Sequence, residues 1–157
     1  MALPIHIVIR YKKVRNASQP VSQRQIRALA EFRHQLRRFL HFSEDAAKNA
    51  GVEAQQHQLM LAIKAVEPEA AGIGYLADRL MLRHHSAVGL VDRTEQAGMV
   101  KRVRSAADRR SAQAILTPKG AMILKKLSLH HRQELKSAAP ALIENLTTIL
   151  HDTESEL

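Results

Sequence analysis

The chain has 157 residues, of which 45% are hydrophobic and 25% charged, a composition typical of a globular domain rather than a disordered segment. It contains no cysteine, which excludes disulfides, thiolate catalysis, thiol redox sensing and cysteine-based zinc sites. No apolar run approaches the ~18 residues that a membrane span needs, and the N-terminus lacks a signal-peptide pattern, so we expect a cytoplasmic protein.

Charge is distributed unevenly along the chain. The formal net charge is +9, from 24 Lys and Arg against 15 Asp and Glu. Residues 1–41 carry nine basic groups and the single acid Glu31, whereas the last eighteen residues carry four acids and neither Lys nor Arg. Clustered cations release counterions when they meet phosphates, so the basic segments predict a polyanionic partner. The alternative interpretation is a soluble basic protein whose charged faces are solvated.

The first 21 residues do not show a helical pattern, because IHIVIRY is β-branched and partly alternating and NASQP follows it as a breaker. Three roles stay open for this N-terminal arm: it crosses to a partner subunit, follows a nucleic acid through Lys12, Lys13 and Arg15, or is disordered. From Ser22 onward, apolar residues recur at spacings of three and four, which predicts a long amphipathic helix that ends at a glycine cap near Gly51.

The middle of the chain predicts three helices. The first runs from Glu53 to Glu67, because Pro68 forbids its continuation. The run YLADRLML predicts a short helix, and another extends from about His84 to Ala97 and ends before Gly98. The residues on the apolar face of this last helix are Ala87, Leu90, Val91 and Thr94. Two short helices joined by a tight turn are typical of a helix-turn-helix.

A hairpin and a further helical region follow. The segments MVKRVR and SAQAIL predict two short strands on either side of the turn Ser105–Arg109. Thr117 and Pro118 then open a helix, with threonine as the N-cap and proline in the first turn. Pro140 is expected to break or kink that helix before a final segment, Ala141–Leu150. The sequence therefore predicts a mainly α fold with a small β-hairpin.

Several linked motifs are more specific than these patterns. Asp108, Arg110, Leu116 and Thr117 match the pattern D-x-R-x5-L-T, and LADRL, LVDR, AGMV and GVEAQQHQLM stand at matching offsets around it. In these residues the chain resembles the MarR family of winged helix-turn-helix transcription regulators. The resemblance covers roughly residues 22–150 and leaves the N-terminal arm outside.

The resemblance implies a single domain at residues 22–150, preceded by the arm at 1–21 and followed by an acidic tail at 151–157. Within that domain it implies a winged helix-turn-helix DNA-binding lobe at about 53–117, with a small β-hairpin wing. The N- and C-terminal helices, at 22–50 and 118–150, would form the dimerisation region. The implied function is that of a sequence-specific regulator, a repressor that binds a pseudo-palindromic operator in double-stranded DNA as a homodimer. A small aromatic or anionic effector would release it.

Under this resemblance, the helix that starts at His84 enters the major groove of DNA. The residues of this region that are expected to face DNA are Arg83, His84, His85, Ser86, Val88, Gly89 and Arg93. Of the strand cations Lys101, Arg102 and Arg104, alternation lets only some face DNA, and Lys101 and Arg104 are assigned to it.

The hairpin tip carries Asp108, Arg109 and Arg110. Its two guanidinium groups suit a narrow minor groove, where negative potential is concentrated. Asp108 stands two residues from Arg110 and is expected to orient the wing through a bidentate pair with it. A solvated polar face remains the alternative for both the helix and the hairpin.

Two residues depart from the family pattern. Thr94 stands where the family has leucine on the buried face, and we expect its hydroxyl to bond a carbonyl one turn back. Gly89 occupies an outward position where a longer polar residue is common, at a cost of about 1 kcal/mol against alanine. Because Gly89 has no side chain to reach a base, these departures affect how bases are read and not the fold.

Four residues, Arg33, His41, His57 and Tyr75, are candidates to line an effector pocket between the dimerisation helices and the DNA-binding lobe, where the resemblance places one. Each is equally well an ordinary interior or surface residue. The adjacent pairs His84–His85 and His130–His131 are not expected to hold a metal, because neighbours on a helix point in different directions. No cofactor is expected.

Other functional classes are weaker alternatives. A winged-helix module that contacts a protein stays open, and it would tolerate neutral residues at Arg109 and Arg110. Single-strand or RNA binding is not indicated, because Phe32, Phe39 and Phe42 lie mostly on the apolar side of the first helix. An enzyme is not expected, since no nucleophile with a convergent base is visible. The apolar faces of the terminal helices predict a dimer, unless they pack only against each other.

Overall fold

The computed structural model describes residues 21–104 and 112–151. Five α-helices and one two-stranded sheet account for this part of the chain. The elements are α1 (Gln23–Asn49), α2 (Ala54–Lys64), a 3₁₀ turn (Pro68–Ala70), α3 (Ile73–Arg79), α4 (His84–Gln96), β1 (Val100–Arg104), β2 (Ala112–Leu116) and α5 (Pro118–His151). The predicted order is confirmed up to the hairpin, after which one helix, α5, stands where two were predicted.

The start and end of α1 follow from two local signals. Ser22 Oγ accepts a hydrogen bond from the Gln25 backbone N–H at 3.0 Å, and the Ser22 N–H donates to Gln25 Oε1 at 3.0 Å. This reciprocal pair is a capping box, which satisfies two N–H groups at the helix start. At the other end Gly51 has a φ of +73°, the left-handed conformation that a glycine adopts at little cost. Both ends were predicted from the sequence.

The second helix is shorter than predicted. It ends at Lys64 rather than Glu67, and Glu67 itself is extended, with φ −63° and ψ 148°. A residue that precedes proline is driven out of the helical region by the proline ring, so Pro68 acts on Glu67 and not only on its own position. The chain reaches α3 through the 3₁₀ turn that Pro68 begins.

The last helix is longer than predicted, because it is not broken at Pro140. α5 runs without interruption from Pro118 to His151 with Pro140 inside it. Pro140 is exposed, as is Lys136 one turn earlier, so water can bond the carbonyl that the missing N–H leaves free. Contacts with α1 support the helix on both sides of the proline, at His131, which meets Ser43, and at Ile149, which meets Gln25.

The core of the molecule lies in the helix-turn-helix region. Its fully buried side chains include Leu59 and Met60 of α2, Leu76 of α3, Leu90 of α4 and Val100 of β1. Thr94 is completely buried among them, and its Oγ1 donates to the Leu90 carbonyl at 2.7 Å. That bond, which was predicted, lets a hydroxyl occupy an apolar face without an unpaired donor.

The hairpin is joined to the helices through β2. β1 and β2 are antiparallel, with Val100 opposite Leu116 and Arg104 opposite Ala112. The Ala114 N–H donates to the Ala71 carbonyl at 3.0 Å, which ties β2 to the segment that leads into α3. The hairpin is therefore fixed at its base to the lobe that carries α3 and α4.

The long helices α1 and α5 pack side by side and are joined at their far ends, where Gln25 Nε2 donates to the Ile149 carbonyl at 3.2 Å. None of the helices in the two described ranges has the length and apolarity that crossing a membrane requires.

Candidate nucleic-acid interface

α4 is divided into a buried face and an outward face. Its buried residues are Ala87, Leu90, Val91 and Thr94, as predicted. The side chains assigned to DNA lie on the remaining surface: Arg83, His84, His85 and Arg93 are exposed, whereas Ser86, Val88 and Gly89 are half-buried. No side chain among the described residues caps the start of the helix. The positive end of the α4 dipole is therefore available to an anion, and the exposed His84 and His85 lie in the same turn.

Gly89 leaves space on this outward face. A Cβ built on Gly89 would lie 3.6 Å from Nη1 of Arg93, an ordinary van der Waals distance. The guanidinium of Arg93 thus extends back one turn along the helix surface. Arg93 partly covers the gap that Gly89 leaves in the outward face.

Arg102 points toward α4 and not toward solvent. Its Nη1 bonds the carboxylate of Asp92 and lies 3.0 Å from Glu95 Oε2, and its Nη2 donates to the Val88 carbonyl at 3.4 Å. The Arg102 backbone N–H also donates to Glu95 Oε1 at 2.7 Å. Among the three strand cations, Arg102 is therefore an internal tie between β1 and α4, whereas Lys101 and Arg104 are exposed.

Sequence reasoning did not find the role of Arg102, Asp92 and Glu95. The spacing of Asp92 and Glu95 places both acids on one side of a helix, which is a weak signal, since such pairs are common on solvated faces. That a strand arginine lies between them depends on how the hairpin folds back on α4. The Arg102 contacts neutralise Asp92 and Glu95, the two acids of α4.

The start of α5 is hydrogen-bonded to the end of α4. Thr117 Oγ1 donates to the Gly98 carbonyl at 2.7 Å, and Lys119 Nζ donates to the Ala97 carbonyl at 2.8 Å. Thr117 Oγ1 also accepts from the Gly120 N–H at 3.1 Å, which confirms its predicted N-cap role. A Cβ on Gly120 would lie 2.0 Å from the Met99 carbonyl oxygen, so the backbones approach too closely for any other residue. The run Thr-Pro-Lys-Gly thus connects the end of α4 to the long helix α5.

Asp108, Arg109 and Arg110 lie outside the described residues, so the structure does not bear on their assignment.

The four candidate effector residues are not brought together. His57 is buried, and Tyr75 is half-buried with its hydroxyl 3.5 Å from the Ala62 carbonyl. Arg33 and His41 are exposed on α1, with His41 Nε2 3.6 Å from Asp45 Oδ2. Beside His57 lies a cavity of about 470 Å³ between α2 and α5. Its lining residues are His57, Leu61, Ser128, His131, Arg132, Leu135, Lys136 and Ala139.

His57 and His131 form an unusual pair where α1, α2 and α5 meet. Their ring centroids are 4.9 Å apart. His131 Nδ1 lies 2.6 Å from the Leu127 carbonyl and its Nε2 2.7 Å from Ser43 Oγ. Since a carbonyl only accepts, Nδ1 of His131 carries a proton, and in the neutral ring the Ser43 hydroxyl donates to Nε2.

His57, in contrast, has no hydrogen-bond partner at either ring nitrogen within the described structure. Burial, together with the nearby His131, lowers the pKa of His57 from 6.5 to about 4. The ring is consequently neutral at pH 7 and leaves a donor and an acceptor unpaired in the interior. No group of three or more His, Asp or Glu residues within the described ranges could hold a metal ion.

The fold and this surface define a winged helix-turn-helix protein: a helix-turn-helix in α3 and α4, a hairpin wing fixed to it, and two long helices that carry the lobe. A model of the MarR family matches residues 50–111, which contain α2, α3, α4 and β1. The resemblance read from the sequence is therefore confirmed in this lobe, and the whole fold is that of MarR family structures.

Solved structures with the same fold cover most of the chain. AbsC, a MarR family transcriptional regulator from Streptomyces coelicolor, is 20% identical with a TM-score of 0.66, covering 85% of this chain and 94% of its own. CouR from Rhodococcus jostii, bound to p-coumaroyl-CoA, is 18% identical with a TM-score of 0.63, covering 86% and 100%. A mutant of MepR from S. aureus, bound to an oligodeoxyribonucleotide, is 16% identical with a TM-score of 0.60, covering 78% and 94%. None of the curated proteins compared with the chain matches it.

Proposed function

We propose that this protein is a sequence-specific regulator of transcription that binds double-stranded DNA as a homodimer. The observation that carries the proposal is the division of α4, whose buried face is anchored in the core while its outward face presents a capless, basic first turn. A helix of this kind enters a major groove with its N-terminal residues toward the bases.

The electrostatics of the surface support the proposal. Asp92 and Glu95, the two acids of α4, are both bonded by Arg102, so neither is left to repel a phosphate. The exposed charges that remain along α4 and β1 are basic: Arg83, Arg93, Lys101 and Arg104. Such a surface gains free energy by releasing counterions from DNA.

The homodimer is supported by apolar side chains that the packing of α1 on α5 leaves exposed. On α1 these are Ile26, Leu29, Leu36 and Leu40, between 40% and 52% exposed, and on α5 they include Ile143, Leu146 and Leu150, between 40% and 71% exposed. The two helices do pack together, but that contact covers only part of their apolar surface. A second copy would cover the rest and place two α4 helices on one duplex, where a two-fold dimer reads a pseudo-palindrome.

Repression that is relieved by an effector forms the last part of the proposal. The cavity beside His57 is mainly apolar, and Arg132 and Lys136 are the cations that line it. A small aromatic or anionic molecule fits this combination, because its body replaces water on apolar walls and its charge meets the cations. Effector binding between α2 and α5 would change the spacing of the two DNA-binding lobes of the dimer. It would so favour the state that is not bound to DNA.

Binding to DNA is the direct test. A duplex selected by the protein from a random pool is titrated by fluorescence anisotropy at salt concentrations from about 50 to 200 mM, over which several phosphate contacts lower affinity by orders of magnitude. We expect tight, salt-dependent binding to the selected duplex and weak binding to a scrambled one. Failure to select any sequence, or equal affinity for both duplexes, would favour the alternative of a winged-helix module that contacts proteins.

Two variants test which surface is used. Arg110→Ala and Lys101→Ala should weaken binding, with a lower salt slope, because each removes a cation assigned to DNA. Lys125→Ala is the matched control, since Lys125 is an exposed cation on α5 and belongs to neither α4 nor the hairpin. Equal effects from all three substitutions would mean that only the net charge matters.

A further inference from the structure

Met81 combines two features that are unusual in a folded protein. It lies in the turn between α3 and α4 with a φ of 54°, the one positive φ of a non-glycine residue in the described ranges. It is also 92% exposed, more than any other large hydrophobic residue there. Single exposed apolar residues are common, but a methionine that is both fully exposed and in the left-handed region is not.

The fold explains the backbone conformation of Met81 but not its side chain. The Met81 N–H donates to the Asp78 carbonyl at 3.2 Å and the Leu82 N–H to the Ala77 carbonyl at 2.9 Å, which closes the end of α3. This closure needs a left-handed residue, and glycine is the residue that adopts that conformation without strain. A side chain that is almost wholly in water makes few packing contacts within the protein that could offset the backbone strain. Its presence at a strained position points to a contact outside the chain.

The surroundings indicate what that contact is. Exposed basic residues flank the turn on both sides, namely Arg79 at the end of α3 and Arg83, His84 and His85 at the start of α4. Asp78 is the one acid in the run from Ile73 to His85. An apolar side chain within a basic surface fits DNA, which offers phosphates together with an apolar group in the major groove, the C5-methyl of thymine.

We propose that Met81 is a specificity-determining residue that packs its side chain against a thymine methyl group at the edge of the groove entered by α4. The inference rests on the proposed function and deepens it, because it assigns one base preference to a residue outside the recognition helix. Gly89 leaves the middle of α4 without a side chain to read bases, which makes an additional contact at the turn more valuable.

Removing the Met81 side chain is expected to lower DNA affinity without lowering stability, and the experiment measures both quantities. Met81→Gly removes the side chain and suits the backbone, so its melting temperature is expected to equal or exceed that of the wild type. Its affinity for the duplex selected by the wild-type protein is expected to fall about fourfold, the loss of one methyl-sized apolar contact. Met81→Leu, which restores an apolar side chain, is expected to recover affinity relative to Met81→Gly. Gln58→Ala, an exposed change on α2, is the control.

The base contact is tested on the DNA. Thymines of the selected duplex are replaced one at a time by uracil, which removes the methyl group alone. At one position uracil should weaken wild-type binding by a similar factor and leave the binding of Met81→Gly unchanged.

Three results would overturn the inference. The first is that Met81→Gly binds the selected duplex as tightly as the wild type. The second is that Met81→Gly loses affinity but also melts at a lower temperature than the wild type. The third is that each uracil substitution changes the binding of the wild type and of Met81→Gly equally. If the wild-type protein selects no duplex at all, the proposed function has failed first.

Discussion

Arg102 Nη1 lies 3.0 Å from Glu95 Oε2, and the same guanidinium also bonds Asp92. This contact joins the strand that leads to the wing with the helix proposed to enter DNA. Because the strand and the helix are held at one relative position, β1 and α4 would meet a duplex as one unit in the proposed complex with DNA.

Replacing Arg102 should therefore affect DNA binding although Arg102 contacts no DNA in our proposal. Arg102→Met breaks the bonds to Glu95 and Asp92, which are partly exposed, so we expect a loss of about 1–2 kcal/mol in the free energy of unfolding. We also expect a larger loss of affinity than from Lys101→Met, which removes an exposed cation from the same strand. Urea denaturation and anisotropy measure the two quantities.

Arg102→Lys separates charge from geometry. Lysine keeps the positive charge but lacks the planar guanidinium that bonds two carboxylates. The Arg102→Lys variant should therefore bind DNA with lower affinity than the wild type. Full recovery by lysine would show that charge alone is sufficient and that the wing does not depend on this geometry.

The same substitution at two glycines should have opposite effects on stability. A Cβ at Gly120 would lie 2.0 Å from the Met99 carbonyl oxygen, so Gly120→Ala should lower the free energy of unfolding by about 3 kcal/mol as α5 is pushed from the end of α4. At Gly89 the nearest atom would be 3.6 Å away, so Gly89→Ala should raise it by about 1 kcal/mol. Thermal unfolding of both variants checks the pair. Destabilisation by both would contradict the observed geometry.

Stability should depend on pH through His57. Its pKa is lowered from 6.5 to about 4 in the folded protein, so the unfolded chain binds the proton more readily. The contribution of neutral His57 is fully present above pH 6.5 and is lost as pH falls toward 4, to an extent of about 3 kcal/mol at most. His57→Leu should flatten the pH dependence of urea denaturation in this window.

The control for that experiment is His34→Gln, because His34 is exposed on α1. An unchanged pH profile in His57→Leu would mean that the buried ring is protonated at little cost, which the absence of a partner for its nitrogens makes unexpected.

The proposed homodimer depends on the exposed apolar faces of α1 and α5. Leu40→Glu and Ile143→Glu place a charge on residues that are 52% and 63% exposed, so neither should unfold the single chain. Each should prevent a second copy from covering the face, because a buried unpaired carboxylate costs several kcal/mol. Light scattering is expected to give a dimer for the wild type and a monomer for the variants. A monomeric wild type at micromolar concentration would end the dimer proposal.

The sequence by itself determined the elements and their capping. The starts of α1 and α5, the glycine ends of α1 and α4, and the buried face of α4 follow from local rules, since a cap or an apolar stripe depends on residues within one or two turns. Linked motifs of this kind also indicated the family. Local rules failed at Pro140, where packing along α1 supports a helix that propensity alone would interrupt.

Tertiary structure decided which side chains are available to a partner. Arg102 and Lys101 are adjacent cations in the sequence, yet one is bonded to two acids of α4 and the other is exposed. The sequence likewise places Thr117 and Lys119 at the start of a helix without revealing that both bond the end of α4. These pairings join residues 7 to 22 positions apart. No local pattern encodes them, because they form only when the hairpin folds back and the backbones of Met99 and Gly120 meet.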